Sequence, residues 1–255
     1  MNVENIGKTI AKIVFEGDKS KSRLLSVSAE NENCDEVYTE MKLTKPKEHF
    51  QQIPTKQQER SILYITGASG SGKSYYTRAY ADEYHKLYPH NPIYLISSLN
   101  EDSSIDKVKT LKRVVIDDKF LSADLDASDF KDSLTIFDDT DCLTDKTKRV
   151  KVNSLLNALL ETGRHHNCSV IYTSHVPTAG LDTKRILNEA HSITIFPHSL
   201  GGRSLKYLLE NYLGFDKQQI KKLKKLSSRW VTIIKTYPMV VLSEKEAFKV
   251  QTDDD

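Results

Sequence analysis

Ser61-Ile-Leu-Tyr-Ile-Thr-Gly-Ala-Ser-Gly-Ser-Gly-Lys-Ser74 sets a short apolar run against a glycine-rich loop that ends on a lysine and a hydroxyl. Ser61 to Thr66 has the near-continuous apolar character of a strand buried on both faces of a parallel sheet. Gly67 to Ser74 matches G-x-x-x-x-G-K-[ST] at every required position. The glycines let the chain turn so that successive N–H groups point inward around a phosphate. The helix expected from Lys73 to about Leu87 brings its partly positive N-terminus to the same place. Lys73 is then placed to reach the β- and γ-phosphates of ATP, and Ser74 to ligate Mg²⁺ through its hydroxyl. Gly67, Ala68, Ser69, Gly70, Ser71, Gly72, Lys73, Ser74 and Tyr75 are the candidate nucleotide-binding residues. A glycine- and serine-rich turn is the bland alternative; the strand before it and the helix after it favour the phosphate loop.

Outward from this stretch, strand and helix alternate. Strands are expected at Pro92–Ser97, Leu111–Ile116, Ser133–Phe137, Ser169–Thr173 and Ser192–Phe196. Val152, Leu155, Leu156, Leu159 and Leu160 share a helical face, and further helices are expected at Leu181–Ala190, Leu205–Leu213 and Asp216–Leu226. A hairpin of Trp230–Lys235 and Met239–Leu242, turning at Tyr237-Pro238, closes the chain. The fold class is therefore α/β: a P-loop NTPase with a mostly parallel central sheet flanked by helices and a C-terminal β-hairpin. Residues 1–57 form a small β-rich segment with strand-like runs at Thr9–Phe15, Leu24–Ser28 and Val37–Leu43, followed by a linker from Lys45-Pro46 to Gln58. The ATPase domain is expected over 58–250, with an acidic tail at 251–255.

Composition excludes several classes. Thirty-seven Lys and Arg against 35 Asp and Glu leave a net charge of +2, so any nucleic-acid claim has to come from local patches. Cys34, Cys142 and Cys168 are odd in number and lack metal-ligand spacing, which supports neither a disulfide framework nor a zinc site. No run approaches the roughly 20 apolar residues of a membrane span. Basic groups stand at Lys146, Lys148, Arg149 and Lys151, and at Lys217, Lys221, Lys222, Lys224, Lys225 and Arg229. Each reads either as a solvated face or as a phosphate-contacting stripe.

A phosphate loop needs a second acidic element. Leu134-Thr-Ile-Phe-Asp138-Asp139 ends an apolar strand on two carboxylates, at the C-terminal end where ligands of open α/β sheets bind. Asp138 is expected to take Mg²⁺ and Asp139 to orient or deprotonate the attacking water. Asp117-Asp118, which also ends an apolar run, competes for these roles, and Asp141 and Asp145 follow closely as acidic loop residues.

Thr162-Gly-Arg-His-His-Asn-Cys-Ser-Val-Ile-Tyr-Thr-Ser-His-Val-Pro-Thr178 separates the NTPase families. It places Arg164 after the amphipathic helix, then a strand, then Thr173-Ser174-His175 at that strand's tip. Arg164 is a candidate for stabilising transition-state charge in its own or a neighbouring subunit, or a helix-end cation. His175 is a candidate phosphate or water sensor, or an ordinary strand-end residue. The arrangement resembles the FtsK–HerA superfamily of DNA-pumping ATPases, and within it the poxvirus-type genome-packaging ATPases of large DNA viruses. Gly163-Arg164-His165 looks like their G-R-H segment, T-S-H-V-P at 173–177 sits where relatives carry a T-Q-R-P-like or S-Q ending, and Ser228–Ile234 with Tyr237-Pro238 is similar to their closing hairpin. The likeness covers about residues 58–245, and its departure is His175, where a glutamine is usual.

This resemblance implies an ATP- and Mg²⁺-dependent motor that moves double-stranded DNA, independent of sequence, into a viral capsid. Lys73, Asp139, Arg164 and His175 are the implied catalytic set, and Ser74 and Asp138 the metal ligands. A homo-oligomeric ring, a capsid or portal partner, and a place in the host cytoplasm, at a viral assembly site or in the virion are implied with it. Two rival functions are a small-molecule kinase on the same loop, which the absence of an arginine-rich lid disfavours, and a non-catalytic ATP-binding assembly factor.

Overall fold

The computed structural model describes residues 1–28, 34–58 and 60–250, so the acidic tail expected at 251–255 lies outside the described residues. The chain opens with β1 (Lys8–Phe15), β2 (Arg23–Val27), β3 (Glu40–Lys42) and β4 (Glu48–Gln52). Then follow β5 (Ile62–Thr66), α1 (Lys73–Leu87), β6 (Ile93–Ser97), β7 (Leu111–Val114), α2 (Asp118–Ser122), β8 (Leu134–Asp138), α3 (Lys146–Thr162) and β9 (Ser169–Ser174). The last part holds α4 (Leu181–Glu189), β10 (Ser192–Ile195), α5 (Gly202–Asn211), α6 (Lys217–Lys224), β11 (Val231–Ile234), β12 (Val240–Ser243) and β13 (Glu246–Lys249).

The main sheet has ten strands in the order β3-β13-β12-β11-β10-β5-β9-β8-β6-β7. From β10 to β7 every pairing is parallel, and from β10 to β3 every pairing is antiparallel. The central strands read as apolar runs because both faces are covered: β5, β8, β9 and β10 are buried at every position. The pleat sends alternate residues of β5 to opposite layers. Ile62 and Tyr64 pack with the buried face of α3, while Leu63 and Ile65 pack with Tyr76, Tyr80 and Tyr84 of α1. Helix α3 buries the five apolar positions its spacing predicts, and it starts six residues earlier than they require because Asp145 caps it, accepting from Thr147 N at 2.8 Å.

Two features were not legible in advance. The segment expected as a linker forms β4, which joins β2 and β1 in an antiparallel sheet ordered β2-β1-β4. It is tied to the ATPase core: Tyr76 Oη donates to Gln52 Oε1 at 2.7 Å, Gln52 Nε2 donates to Ser192 Oγ at 2.9 Å, and Gln51 Nε2 donates to the Ala79 carbonyl at 3.2 Å. The closing hairpin also gains a third strand, β13, on which β3 pairs as the edge. Ile10, Ile13 and Phe50 consequently share one apolar cluster with Val240, Leu242 and Ala247.

At the N-terminal edge of the sheet, the buried Arg60 guanidinium donates to the carbonyls of Leu159 and Leu160, both at 2.7 Å. These are carbonyls in the last turn of α3, where the Leu159 oxygen also accepts from Gly163 N. A Cβ on Gly163 would lie 2.9 Å from Arg60 Nη1 and 3.0 Å from Cys168 Cβ, so the close approach requires glycine.

Candidate functional site

Strand β5 delivers the phosphate loop to the centre of the sheet's C-terminal edge. Gly72, at φ 113°, is in a region open to glycine, and it hands the chain to α1 at Lys73. The Lys73 ammonium is buried at 6% exposure; Nζ donates to the Gly67 carbonyl at 3.0 Å and stands 3.7 Å from Asp139 Oδ1. The lysine is therefore already folded over the loop, at the position from which it would meet a phosphate. Ser74 follows on the first turn of α1, half-buried, and Tyr75 beside it is 73% exposed.

The acidic pair stands two strands away. Asp138 ends β8 and is buried, whereas Asp139 leaves the strand with φ 50°, a left-handed turn that aspartate tolerates. Thr173, on the neighbouring β9, ties the two together. Its hydroxyl accepts from Asp139 N at 2.9 Å, and its own proton reaches Asp138 Oδ1 at 2.9 Å or Asp139 Oδ1 at 3.2 Å. Burial, and then the adjacent Asp139 carboxylate, push the Asp138 carboxyl up to about 6. Asp138 Oδ2 is buried with no hydrogen-bond partner among the described residues. A buried orphan oxygen on a carboxyl disfavoured as an anion fits a hard divalent cation, and the Ser74 hydroxyl on the first turn of α1 is the residue type that could hold it with Asp138. Thr66 Oγ1, Ser71 Oγ and Thr140 Oγ1 are likewise buried and unpartnered, and all lie on the loop or at the strand tips beside it.

The competing pair is placed elsewhere. Asp117-Asp118 follows β7 at the far edge of the sheet, and the Asp117 side chain caps α2 by accepting from Phe120 N at 2.9 Å. Asp141, expected only as a loop acid, is part of the site. Its Oδ2 accepts from Ser174 Oγ at 2.8 Å and from His175 N at 3.0 Å, which fixes the tip of β9. His175 Nδ1 lies 3.5 Å from Asp139 Oδ1 and 3.3 Å from Cys142 Sγ. The fold thus brings together Asp141, Cys142 and His175, whose ligand atoms lie within 4.8 Å of one another. Burial, with Asp141 and Asp139 beside it, pushes the Cys142 thiol up to about 11. Cysteine spacing along the sequence could not show this grouping.

Arg164 is not brought to the site. It lies in the turn Gly163–His166 before β9, whereas Ser174 and His175 lie after it. Six strand residues separate the two edges by about 20 Å, so Arg164 and the β9 tip stand at opposite ends of one strand. The basic groups also divide: Lys222 pairs with Glu40 at 2.7 Å and sits 3.9 Å over the Phe248 ring, which makes it a tie to β3, while Lys146 and Arg149 are exposed. No helix among the described residues is long and apolar enough to cross a membrane.

No family model matches the chain. The uncharacterized protein V3 of Sputnik virophage is 38% identical over 250 residues, which take in 97% of this chain and 97% of that protein. The genome packaging NTPase B204 of Sulfolobus turreted icosahedral virus 2, solved with AMPPCP, is similar in structure at a TM-score of 0.50 and 18% identity, covering 73% of this chain and 98% of B204. B204 of Sulfolobus turreted icosahedral virus, described as a DNA-packaging ATPase, matches with the same TM-score of 0.50 and 18% identity. At that identity the likeness is one of fold: an α/β P-loop NTPase with a mostly parallel sheet.

Proposed function

Because this chain belongs to the family of the Sputnik virophage protein V3, and has the fold of the B204 packaging NTPases, we propose that it is an ATP-driven motor moving double-stranded DNA into a viral capsid. The observation that carries the proposal is the pairing of a complete phosphate loop with the Asp138–Asp139 pair, locked by Thr173 at hydrogen-bond distance. Lys73 and the loop amides bind the phosphates of ATP. Mg²⁺, held by Ser74 and Asp138, would supply charge neutralisation across the β- and γ-phosphates. Asp139, kept in place by its backbone bond to Thr173, orients the attacking water and takes its proton. Ser174 and His175, held by Asp141, sense the γ-phosphate, and its departure shifts the loop that follows them.

The position of Arg164 supports a ring in this reading. Exposed at the opposite edge from its own phosphate loop, it serves instead as the transition-state cation of a neighbouring subunit. The exposed Lys146 and Arg149 at the start of α3 contact the DNA backbone or an adjoining subunit, and the assembly works with a capsid or portal protein where virions form.

The test is displacement of a third strand from a triplex-bearing duplex by the purified protein. The expected result is displacement that requires ATP and is abolished by Lys73→Ala. ATP hydrolysis that proceeds while the third strand stays in place, under every duplex and salt condition, would refute the motor.

A further inference from the structure

The phosphate loop has two flanks. On one stand β9 and β8, with Thr173, Asp138 and Asp139; on the other stand β10 and the β11–β12 hairpin. On that second flank a cavity of about 450 Å³ opens directly from Ser71 and Gly72 of the loop. Its walls include α1 through Tyr75 and Tyr76, β4 through His49 and Gln51, the start of the hairpin through Arg229 and Trp230, and the β12–β13 turn through Glu244 and Lys245. The volume falls within the range of about 300–1,000 Å³ that small-ligand pockets span.

We propose that this cavity receives the nucleobase and ribose of the bound triphosphate, and that the N-terminal segment serves as one wall of the nucleotide site. The inference rests on the nucleotide reading of the phosphate loop. A triphosphate whose γ end meets Asp139 and His175 must carry its nucleoside away from β8 and β9, and the opposite flank is where the cavity lies. The lining suits that ligand. Tyr75 is 73% exposed at the lip, which leaves its ring face open to contact with a flat base. Trp230 is half-buried and held edge-on against Tyr76 with ring centroids 5.1 Å apart, which fixes a second aromatic surface. His49, Gln51 and Arg229, with the Glu16 and Glu244 carboxylates and the Lys245 ammonium, supply hydrogen-bonding groups around these rings. The wall from β4 is rigidly placed, because Gln51 and Gln52 are bonded to α1.

Trp230 is the single tryptophan of the chain, so its emission comes from one residue on the cavity wall. The experiment titrates the full-length protein with ATP and, separately, with inorganic tripolyphosphate, in the presence of Mg²⁺. Tripolyphosphate should compete with ATP and leave Trp230 emission unchanged, whereas ATP should change it. Tyr75→Ala should weaken ATP by about tenfold, the order expected for losing one base-stacking surface, with tripolyphosphate affinity unaltered. His49→Ala should weaken ATP selectively in the same way. Lys73→Ala should weaken both ligands; if it weakens neither, the nucleotide reading of the loop fails. If Lys73→Ala behaves as expected but Tyr75→Ala and His49→Ala leave ATP affinity unchanged, or weaken ATP and tripolyphosphate equally, the cavity is not the nucleoside site.

Discussion

The Thr173 hydroxyl lies 2.9 Å from Asp138 Oδ1 while accepting the backbone N–H of Asp139, also at 2.9 Å, so one side chain sets the geometry of both acids. Neither acid then needs to search for its position when ATP arrives. Thr173→Val keeps the shape of the side chain and deletes this bridge. Losing such an outer partner of a metal site lowers activity by about 10- to 100-fold. Steady-state hydrolysis should fall by that factor, while tripolyphosphate affinity stays at the wild-type value.

The metal-ligand role proposed for Asp138 carries a cost in stability. With its carboxyl pushed up to about 6, the folded chain holds this proton more tightly than the unfolded chain. That contribution is fully present below about pH 4, the range of a free aspartate, and is lost as pH rises through 6. Asp138→Asn should therefore stabilise the Mg²⁺-free protein at pH 7 by about 2–3 kcal/mol, with the difference vanishing toward pH 4. Urea unfolding of both proteins at the two pH values checks this, and the same variant should lose Mg²⁺-dependent hydrolysis.

For Arg164, subunit mixing separates a role in the neighbouring site from a structural one. Arg164→Ala alone should lose hydrolysis by about 10³-fold or more, the size of an arginine-finger effect. Lys73→Ala alone should be inactive as well. Combined, the two should regain activity, because some interfaces then join an intact loop to an intact arginine. A mixture as inactive as its components counts against a shared site.

Arg60 makes a stability prediction remote from the site. Its guanidinium holds the Leu159 and Leu160 carbonyls at the buried end of α3. Arg60→Ala removes both of these charge-assisted hydrogen bonds, and hydrogen bonds to a charged group are worth about 1.5–3 kcal/mol. Chemical denaturation should show a loss of at least that size.

The parts of the site legible in the sequence were those set by one strand and the turn after it. Gly67–Ser74, Asp138-Asp139 and the β9 tip each sit on a contiguous motif whose apolar flank identifies the strand. Long-range partnerships left no such mark. Asp141 gains its role only because the β8 and β9 tips are adjacent, and Cys142 meets His175 for the same reason. Strand β4 was hidden because Glu48-His-Phe-Gln-Gln52 is polar for a strand; its Gln52 side chain is satisfied by Tyr76 and Ser192, far away in sequence. For Arg164 the sequence shows a strand between it and the β9 tip, and the structure keeps that strand's length between them, but a single chain's sequence carries no mark of which subunit's site the arginine would face.

The most direct test of the account is the rate of ATP hydrolysis by the purified protein with and without duplex DNA of unrelated sequences. The account predicts hydrolysis that duplex DNA stimulates irrespective of sequence, that weakens with added salt, and that disappears in Lys73→Ala and Asp139→Asn. Nucleotide binding without hydrolysis, with Asp139→Asn indistinguishable from wild type, would contradict it and point instead to an ATP-binding assembly factor.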